Sequence, residues 1–334
     1  MDAQKLWDEF VKAKGIDPDT PHDDWAFCGG GPEGDELLDL VLARKKFATA
    51  SAYDEYEAED ELDELPKAGT YSVLLRDNGE AACVIKNYDV DICPFKKVPP
   101  FHAYAEGEGD RSLAYWRRIH EDFFNEGAEE CGITFTEDSK IVLEKFSVEY
   151  EADKGLGDED ELIFVEPTME FADEIASYRQ EMMDADSTFD GCFSMKRMPD
   201  VKEYVDFCRG WSDPGREKDE KGARGTVILC IRKSDLKMVG CMQVHNELNE
   251  RMRNFTGHVG YSVRPSERRK GYATKMLAKA KDFLTSFGFT EGYVSCHTGN
   301  TGSRKVILSN GGEYVETVFL ESDNVHLERY RLKL

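Results

Sequence analysis

The 334-residue chain is 40% hydrophobic and 33% charged, with a formal net charge of -24. No apolar run approaches the roughly 20 residues that span a bilayer, and the start, "MDAQKLWDEFVKAKG", is acidic where a secretory leader would be basic and then apolar; a soluble cytoplasmic protein with no membrane partner is expected. Nine cysteines without a Cys-x-x-Cys pair, and seven histidines with no ligand spacing beside them, argue against a disulfide framework and predict no metal site.

The length suggests two domains, and the charge divides them. Residues 1–150 hold 35 acidic against 16 basic side chains, while 151–334 hold 32 against 27. A front half this acidic repels the phosphates of long nucleic acid. A neutral nucleoside escapes that objection.

In chain order, "DELLDLVLARKK" (35–46) reads as a helix. "TYSVLLRDNGEAACVIKNYDVDIC" reads as two strands around Asp77-Asn78-Gly79, a hairpin turn. "RSLAYWRRIHEDFFNEG" is a second helix, and the front half, 1–149, is expected to be a small barrel-like α+β domain. The polar, glycine-containing run at 150–161 reads as a linker to a second domain at 162–334.

There, "LIFVEP" predicts a strand and "DVKEYVDFC" helical turns; "RGTVILCIRK" and "MVGCMQVHNEL" form a hairpin joined at "SDLK". "GHVGYSV" is a further strand. In 272–287, Ala273, Met276, Leu277, Ala280, Phe283, Leu284 and Phe287 recur at three- and four-residue steps, the pattern of an amphipathic helix, which Gly288 ends. The strands "GYVSC", "EYVETVFL" and "VHLERYRL", with a helical "GSRKVILSN", complete a mixed, mostly antiparallel sheet flanked by helices.

The stretch "SERRKGYATKML" (266–277) places a basic, glycine-broken turn between a strand and a helix. Such a turn exposes unpaired first-turn amides where the helix dipole favours an anion. Gly271 permits close backbone approach, and Arg268, Arg269 and Lys270 add positive charge.

With "RRKGYA" matching the pyrophosphate turn, and Asn300, Ser303 and Gly311-Gly312 matching the next motif, residues 162–334 resemble a GNAT-family acyl-CoA N-acetyltransferase. The resemblance implies acetyl-CoA as co-substrate, held by Tyr261, Val263, Arg268, Arg269, Lys270, Gly271, Tyr272, Ala273, Thr274, Asn300 and Ser303, with a backbone N–H near Val263 as oxyanion donor. Two departures stand out: Ile307 occupies the position of the thiolate-protonating tyrosine of many relatives, and Gly257 that of a glutamate base. His258 is the nearest titratable substitute, though it reads more readily as an imidazole satisfied within the sheet. Glu247 and Glu250 are candidates to act through water or to bind a cationic substrate, or else are loop charges.

In the front half, "LVLARKKFATASAYDEYE", "FHAYAEGEGDRSLAYWRRIH" and "GITFTEDSKIVLEKF" resemble the longer branch of the ASCH family, a PUA-like barrel. Its Gly-x-Lys-x-x-Thr-x-Arg signature is met by Lys46 and Thr49 but broken by Arg44 and Ser51. A hydrolase of that family that deacetylates N4-acetylcytidine uses a lysine, a threonine and a glutamate, which carries over to Lys46, Thr49 and Glu106, with Glu108 as rival. Arg44, Lys45 and Lys46 with Arg111, Arg117 and Arg118 make the candidate stripe for RNA.

Together these readings give an acetyl-CoA-dependent N-acetyltransferase acting on a primary amine or cationic small molecule, joined to a domain recognising a nucleoside or RNA. The alternatives are an acetyl-CoA-sensing binding protein and an amidohydrolase of acetylated nucleosides.

Overall fold

In the computed structural model the first helix starts where Asp2 accepts the Lys5 N–H at 2.8 Å, a cap for one of the otherwise unpaired first-turn amides. This helix, α1 (Ala3–Lys14), buries Leu6, Trp7, Phe10 and Val11 and ends at Gly15 in the left-handed conformation. The structure describes residues 1–158, 161–216 and 223–334, which fall into two units, Met1–Glu161 and Leu162–Leu334.

The front unit continues through β1 (His22–Trp25), α2 (Gly31–Leu42), β2 (Ala48–Ala52), α3 (Tyr53–Ala58), β3 (Tyr71–Leu75), β4 (Ala81–Pro94), α4 (Pro100–Glu106), α5 (Leu113–Glu130), β5 (Lys140–Glu151) and β6 (Gly155–Leu156). The strands pair in the order β1-β3-β4-β5-β2, with β6 on β5. Register shifts at Val84/Ile85 and Asn87/Asp89 interrupt the long β4–β5 ladder. Bulges of this kind bend and twist a strand, which curls the sheet.

Side chains alternate across that sheet. One face contributes Ile85, Phe146 and Val148 to a core with Phe27 and Leu38. The other packs Ile141 and Leu143 against Trp116 and Phe124 of α5, a helix that Ser112 caps and that buries Trp116, His120, Phe124 and Ala128 at four-residue steps.

Of the stretch 150–161, expected as a linker, residues 150–156 fold with the front unit. β5 runs into it as far as Glu151, and β6 turns back so that Tyr150 faces Leu156 and Glu151 faces Gly155. Within it, Glu159 and Asp160 lie outside the described residues.

The back unit comprises β7 (Leu162–Val165), α6 (Ala172–Asp184), α7 (Val201–Ser212), β8 (Arg224–Arg232), β9 (Lys237–Glu247), β10 (Val259–Val263), α8 (Tyr272–Thr285), β11 (Glu291–His297), α9 (Thr301–Ser309), β12 (Glu313–Leu320) and β13 (Val325–Lys333). Its sheet order is β12-β13-β11-β10-β9-β8-β7, the expected mixed sheet flanked by helices. Met276, Leu277, Ala280, Phe283 and Leu284 of α8 are buried against it.

The parallel neighbours β10 and β11 share one register pair, Val259 with Val294. Just upstream, the His258 N–H donates to the Tyr293 carbonyl at 2.7 Å, and Gly257, at φ +82°, bridges to Val294. A Cβ at Gly257 would lie 2.2 Å from the Tyr293 carbonyl oxygen, so only glycine seats this junction. Beyond it the strands part. Among the described residues, no helix is long and apolar enough to cross a membrane, and no group of three His, Cys, Asp or Glu is arranged to hold a metal.

Gly257→Ala is expected to lower the unfolding free energy by about 2 kcal/mol or more, from positive-φ strain alone of about 1–3 kcal/mol plus the clash at Tyr293. Urea unfolding of the full chain measures it; an unchanged midpoint would contradict the junction's role.

Candidate functional site

Where β10 leaves β11, a cleft of about 960 Å³ opens. On its other edge β10 pairs with β9, and the Arg264 N–H donates to the Val239 carbonyl of β9 at 2.9 Å. Successive N–H groups of a strand point to opposite edges, so the amides of Tyr261 and Val263 face the cleft.

The basic turn closes one end. Gly271, at φ +88°, caps α8, and the first intrahelical bonds are those of Thr274 and Lys275 to the Gly271 carbonyl. The amides of Tyr272 and Ala273 precede them and belong to the set that a helix leaves unpaired. Arg268 donates to the Val263 carbonyl at 3.1 Å and to Ser187 Oγ at 2.8 Å.

Two acidic anchors brace this turn from behind. Glu267 receives Arg232 at 2.7 Å, Lys270 at 2.7 Å and Lys237 at 3.1 Å. Burial raises its pKa, but the hydrogen bonds from Arg232, Lys270 and Lys237 outweigh that and hold it at about 2. Glu181 accepts the Ser266 N–H at 2.7 Å, and the buried Arg264 guanidinium reaches Met238 O at 2.7 Å and Glu174 at 2.9 Å. The backbone of 264–271 is therefore held in shape before any ligand arrives.

On the opposite wall, Asn300 caps α9 by accepting the Ser303 N–H at 3.0 Å, and the Tyr261 hydroxyl meets Ser303 Oγ at 2.9 Å. Chiefly through burial, Tyr261 is pushed up to about 12.

Tyr261, Val263, Arg268, Arg269, Gly271, Tyr272, Ala273, Thr274, Asn300 and Ser303 thus all line one cleft. Lys270 does not: its ammonium is turned to Glu267. His258 is 5% exposed and lies outside the cleft lining. Its Nδ1 accepts the Tyr293 N–H at 3.0 Å and burial lowers its pKa, so it is a neutral ring satisfied in the sheet. Glu247, at the end of β9, and Glu250 beyond it also lie outside the lining.

The sequence reading missed the segment 185–190, which lines the cleft with Asp186, Ser187, Thr188 and Asp190. It lies on β10 because Gly191 is there: a Cβ on Gly191 would fall 2.4 Å from the Gly260 carbonyl oxygen. The paired glycines Gly191 and Gly260 were the one available signal.

The front unit holds a different site. Lys46 is 2% exposed, and its Nζ lies 2.7 Å from Glu106 Oε2 and 2.6 Å from Glu108 Oε1. Burial alone would lower its pKa, but the two carboxylates reverse that and raise it. Glu106, the last residue of α4, accepts from Trp116 Nε1 at 2.8 Å and lies 3.0 Å from His102 Nε2. Burial disfavours its charge, yet Lys46 and His120 keep its pKa well below the carboxylate range. Thr49 stands apart on β2, opposite Glu144 of β5.

Five of the six side chains in the candidate basic stripe turn to partners within the unit. Lys46 is buried between carboxylates, Arg44 pairs with Glu151 at 2.8 Å, and Arg117 is turned to the carbonyls of Phe95 and Lys96. Arg111 lies over Tyr104 and Arg118 over Tyr115.

A family model described as an ASCH domain matches residues 23–150, and one described as an acetyltransferase (GNAT) domain matches 162–313. No curated protein matches the chain. Among solved structures, an ASCH domain from Lactobacillus crispatus JV V101 is 31% identical over 43% of this chain and 92% of its own, with TM-score 0.40. Protein EF3133 from Enterococcus faecalis V583 is 34% identical over 43% and 86%, with TM-score 0.40. Mycobacterium smegmatis RimJ in complex with CoA-disulfide is 16% identical over 52% and 81%, with TM-score 0.40.

A depressed carboxyl pKa stabilises the fold above the ordinary value and loses that effect as pH falls. Glu267→Gln is therefore expected to melt below wild type at pH 7, with the gap shrinking as pH falls from 4.5 towards about 2; a gap independent of pH would contradict the ion-pair account. Lys46→Met, which strands a buried Glu106, is expected to cost about 3–5 kcal/mol in urea unfolding.

Proposed function

The chain joins an ASCH domain at 23–150 to a GNAT acetyltransferase domain at 162–313, and from that premise we propose that the back unit transfers an acetyl group from acetyl-CoA to a primary amine. The observation that carries this reading is the single-pair junction of β10 and β11, which opens a cleft beside the first turn of α8. Acetyl-CoA supplies an activated acyl thioester. The donor set fits it: first-turn amides of α8 with Arg268 and Arg269 for the pyrophosphate, and the free edge of Tyr261–Val263 for the amide-bearing pantetheine arm.

The Val263 amide is the proposed donor to the carbonyl oxygen as charge develops there. Asp186 and Asp190 line the same cleft and favour a cationic acceptor such as a polyamine, an aminoglycoside or a peptide N-terminus. Ile307 is fully buried and carries no proton. Tyr261, held by Ser303 at 2.9 Å, is the hydroxyl proposed to protonate the departing thiolate. The second reading, acetyl-CoA held without turnover, draws on the same Ile307.

For the front unit we propose recognition of a single nucleoside. Arg44, Lys46, Arg111, Arg117 and Arg118 are turned to carboxylates, carbonyls and aromatic rings within the unit, which disfavours a groove for long RNA. A charged Lys46 shared by Glu106 and Glu108 holds and orients but accepts no proton from Thr49, so binding is favoured over amide hydrolysis.

Calorimetric titration with acetyl-CoA is expected to give micromolar binding that Gly271→Glu abolishes. With an accepted amine, Tyr261→Phe is expected to lower kcat by about 10²-fold while leaving acetyl-CoA binding in place. Binding without release of thiol across polyamines, aminoglycosides and peptide N-termini would favour the sensing reading; no binding would overturn both.

A further inference from the structure

Inside the curled front sheet lies a polar pair that the Lys46 network does not use. Thr49, Glu144 and Val90 occupy adjacent register positions on β2, β5 and β4, and paired residues share a face. Asn87, two positions along on the same face, donates from Nδ2 to Glu144 Oε2 at 2.7 Å. Phe146 and Ile85 continue that face into the apolar cluster containing Phe27, and the Lys46 ammonium lies 5.4 Å from the Phe27 ring centre. The apolar cluster that adjoins the pair thus also meets the Lys46–Glu106 network.

Two features mark it as a site rather than a buried strut. Asn87 is 3% exposed, and its Oδ1 has no hydrogen-bond partner, a costly state for a buried acceptor unless a ligand completes it. Glu144 retains partial access to solvent, so a ligand reaches the pair from the Glu144 side, with Asn87 Oδ1 behind it. The titratable groups facing Glu144 are Asp23 of β1, Tyr56 of α3 and Glu106 of α4, the last paired with Lys46. Chiefly through burial, and against the Asn87 bond, with Asp23 and Glu106 adding repulsion, the Glu144 carboxyl is pushed up to about 7.

We infer that Glu144 and Asn87 bind the hydrogen-bonding edge of a neutral nucleobase: protonated Glu144 donates to a ring nitrogen or carbonyl, and Asn87 Oδ1 accepts the adjacent N–H. This rests on the nucleoside reading of the front unit and supplies the group that reads the base. A neutral acid joined to an amide whose oxygen is unpaired supplies one donor and one acceptor, the pair of groups that the N3/N4 edge of cytosine or the N1/N6 edge of adenine takes. A ligand phosphate finds no cation here, because Lys46 is already shared by Glu106 and Glu108.

The test is calorimetric titration of the full chain with cytidine at pH 6 and pH 8.5. A carboxyl titrating near 7 is protonated at the lower pH and almost wholly ionised at the higher, so wild type should bind about thirtyfold more tightly at pH 6. Glu144→Gln, which keeps a donor at every pH, should bind with equal affinity at both. Asn87→Ala should lose about tenfold at both, with thermal melts confirming that each variant is folded. A wild-type pH dependence that survives in Glu144→Gln, or cytidine binding indifferent to Asn87→Ala, overturns the inference while leaving the nucleoside reading standing. No binding of cytidine or adenosine by wild type at either pH overturns both.

Discussion

Much of the back unit follows from one steric fact: β10 and β11 touch at Val259 and Val294 and then separate. Gly257 and the paired His258–Tyr293 backbone fix the point of contact. Everything useful lies downstream of it. A parallel pair that kept its ladder would satisfy the amides of Tyr261 and Val263 within the sheet. Because it does not, those amides face a cleft into which the first turn of α8 and the cap of α9 also open.

Charge is handled by enclosure in both units. In a chain of net charge -24, the structurally decisive ions are a carboxylate surrounded by cations, Glu267, and a cation surrounded by carboxylates, Lys46. The first sits partly screened at the back of a turn and holds its backbone in shape. The second is fully enclosed, where breaking the set costs far more than the set contributes over an apolar replacement.

Local patterns made parts of this legible in the sequence. The periodicity of 272–287 gave α8, and the order strand, glycine turn, helix predicted an anion-binding turn, whose residues the structure joins with Asn300 and Ser303 in one cleft. What failed was anything decided by a partner distant in sequence, or by direction. Lys270 looked like an anion ligand because it adjoins Gly271, but Glu267, one helical turn away, takes it. His258 read either as a base or as an imidazole satisfied within the sheet, and only the Tyr293 amide from a neighbouring strand, bonded to its acceptor nitrogen, favours the second. The segment 185–190 carries no periodic signal, and only the close approach of Gly191 to Gly260 brings it to the cleft. The polar run at 150–161 read as a linker because the two-residue strand within it, Gly155–Leu156, leaves no periodicity to detect. Glu144 sits among apolar neighbours in "KIVLEKF", and only the register with Thr49 and Asn87 gives it meaning.

The most direct test of the central claim is a crystal structure of the chain grown with acetyl-CoA. The account predicts the pyrophosphate against the amides of Tyr272 and Ala273, and the pantetheine arm hydrogen-bonded along Tyr261–Val263 where β10 has left β11. Coenzyme bound elsewhere in the back unit, with that strand edge unoccupied, would contradict it.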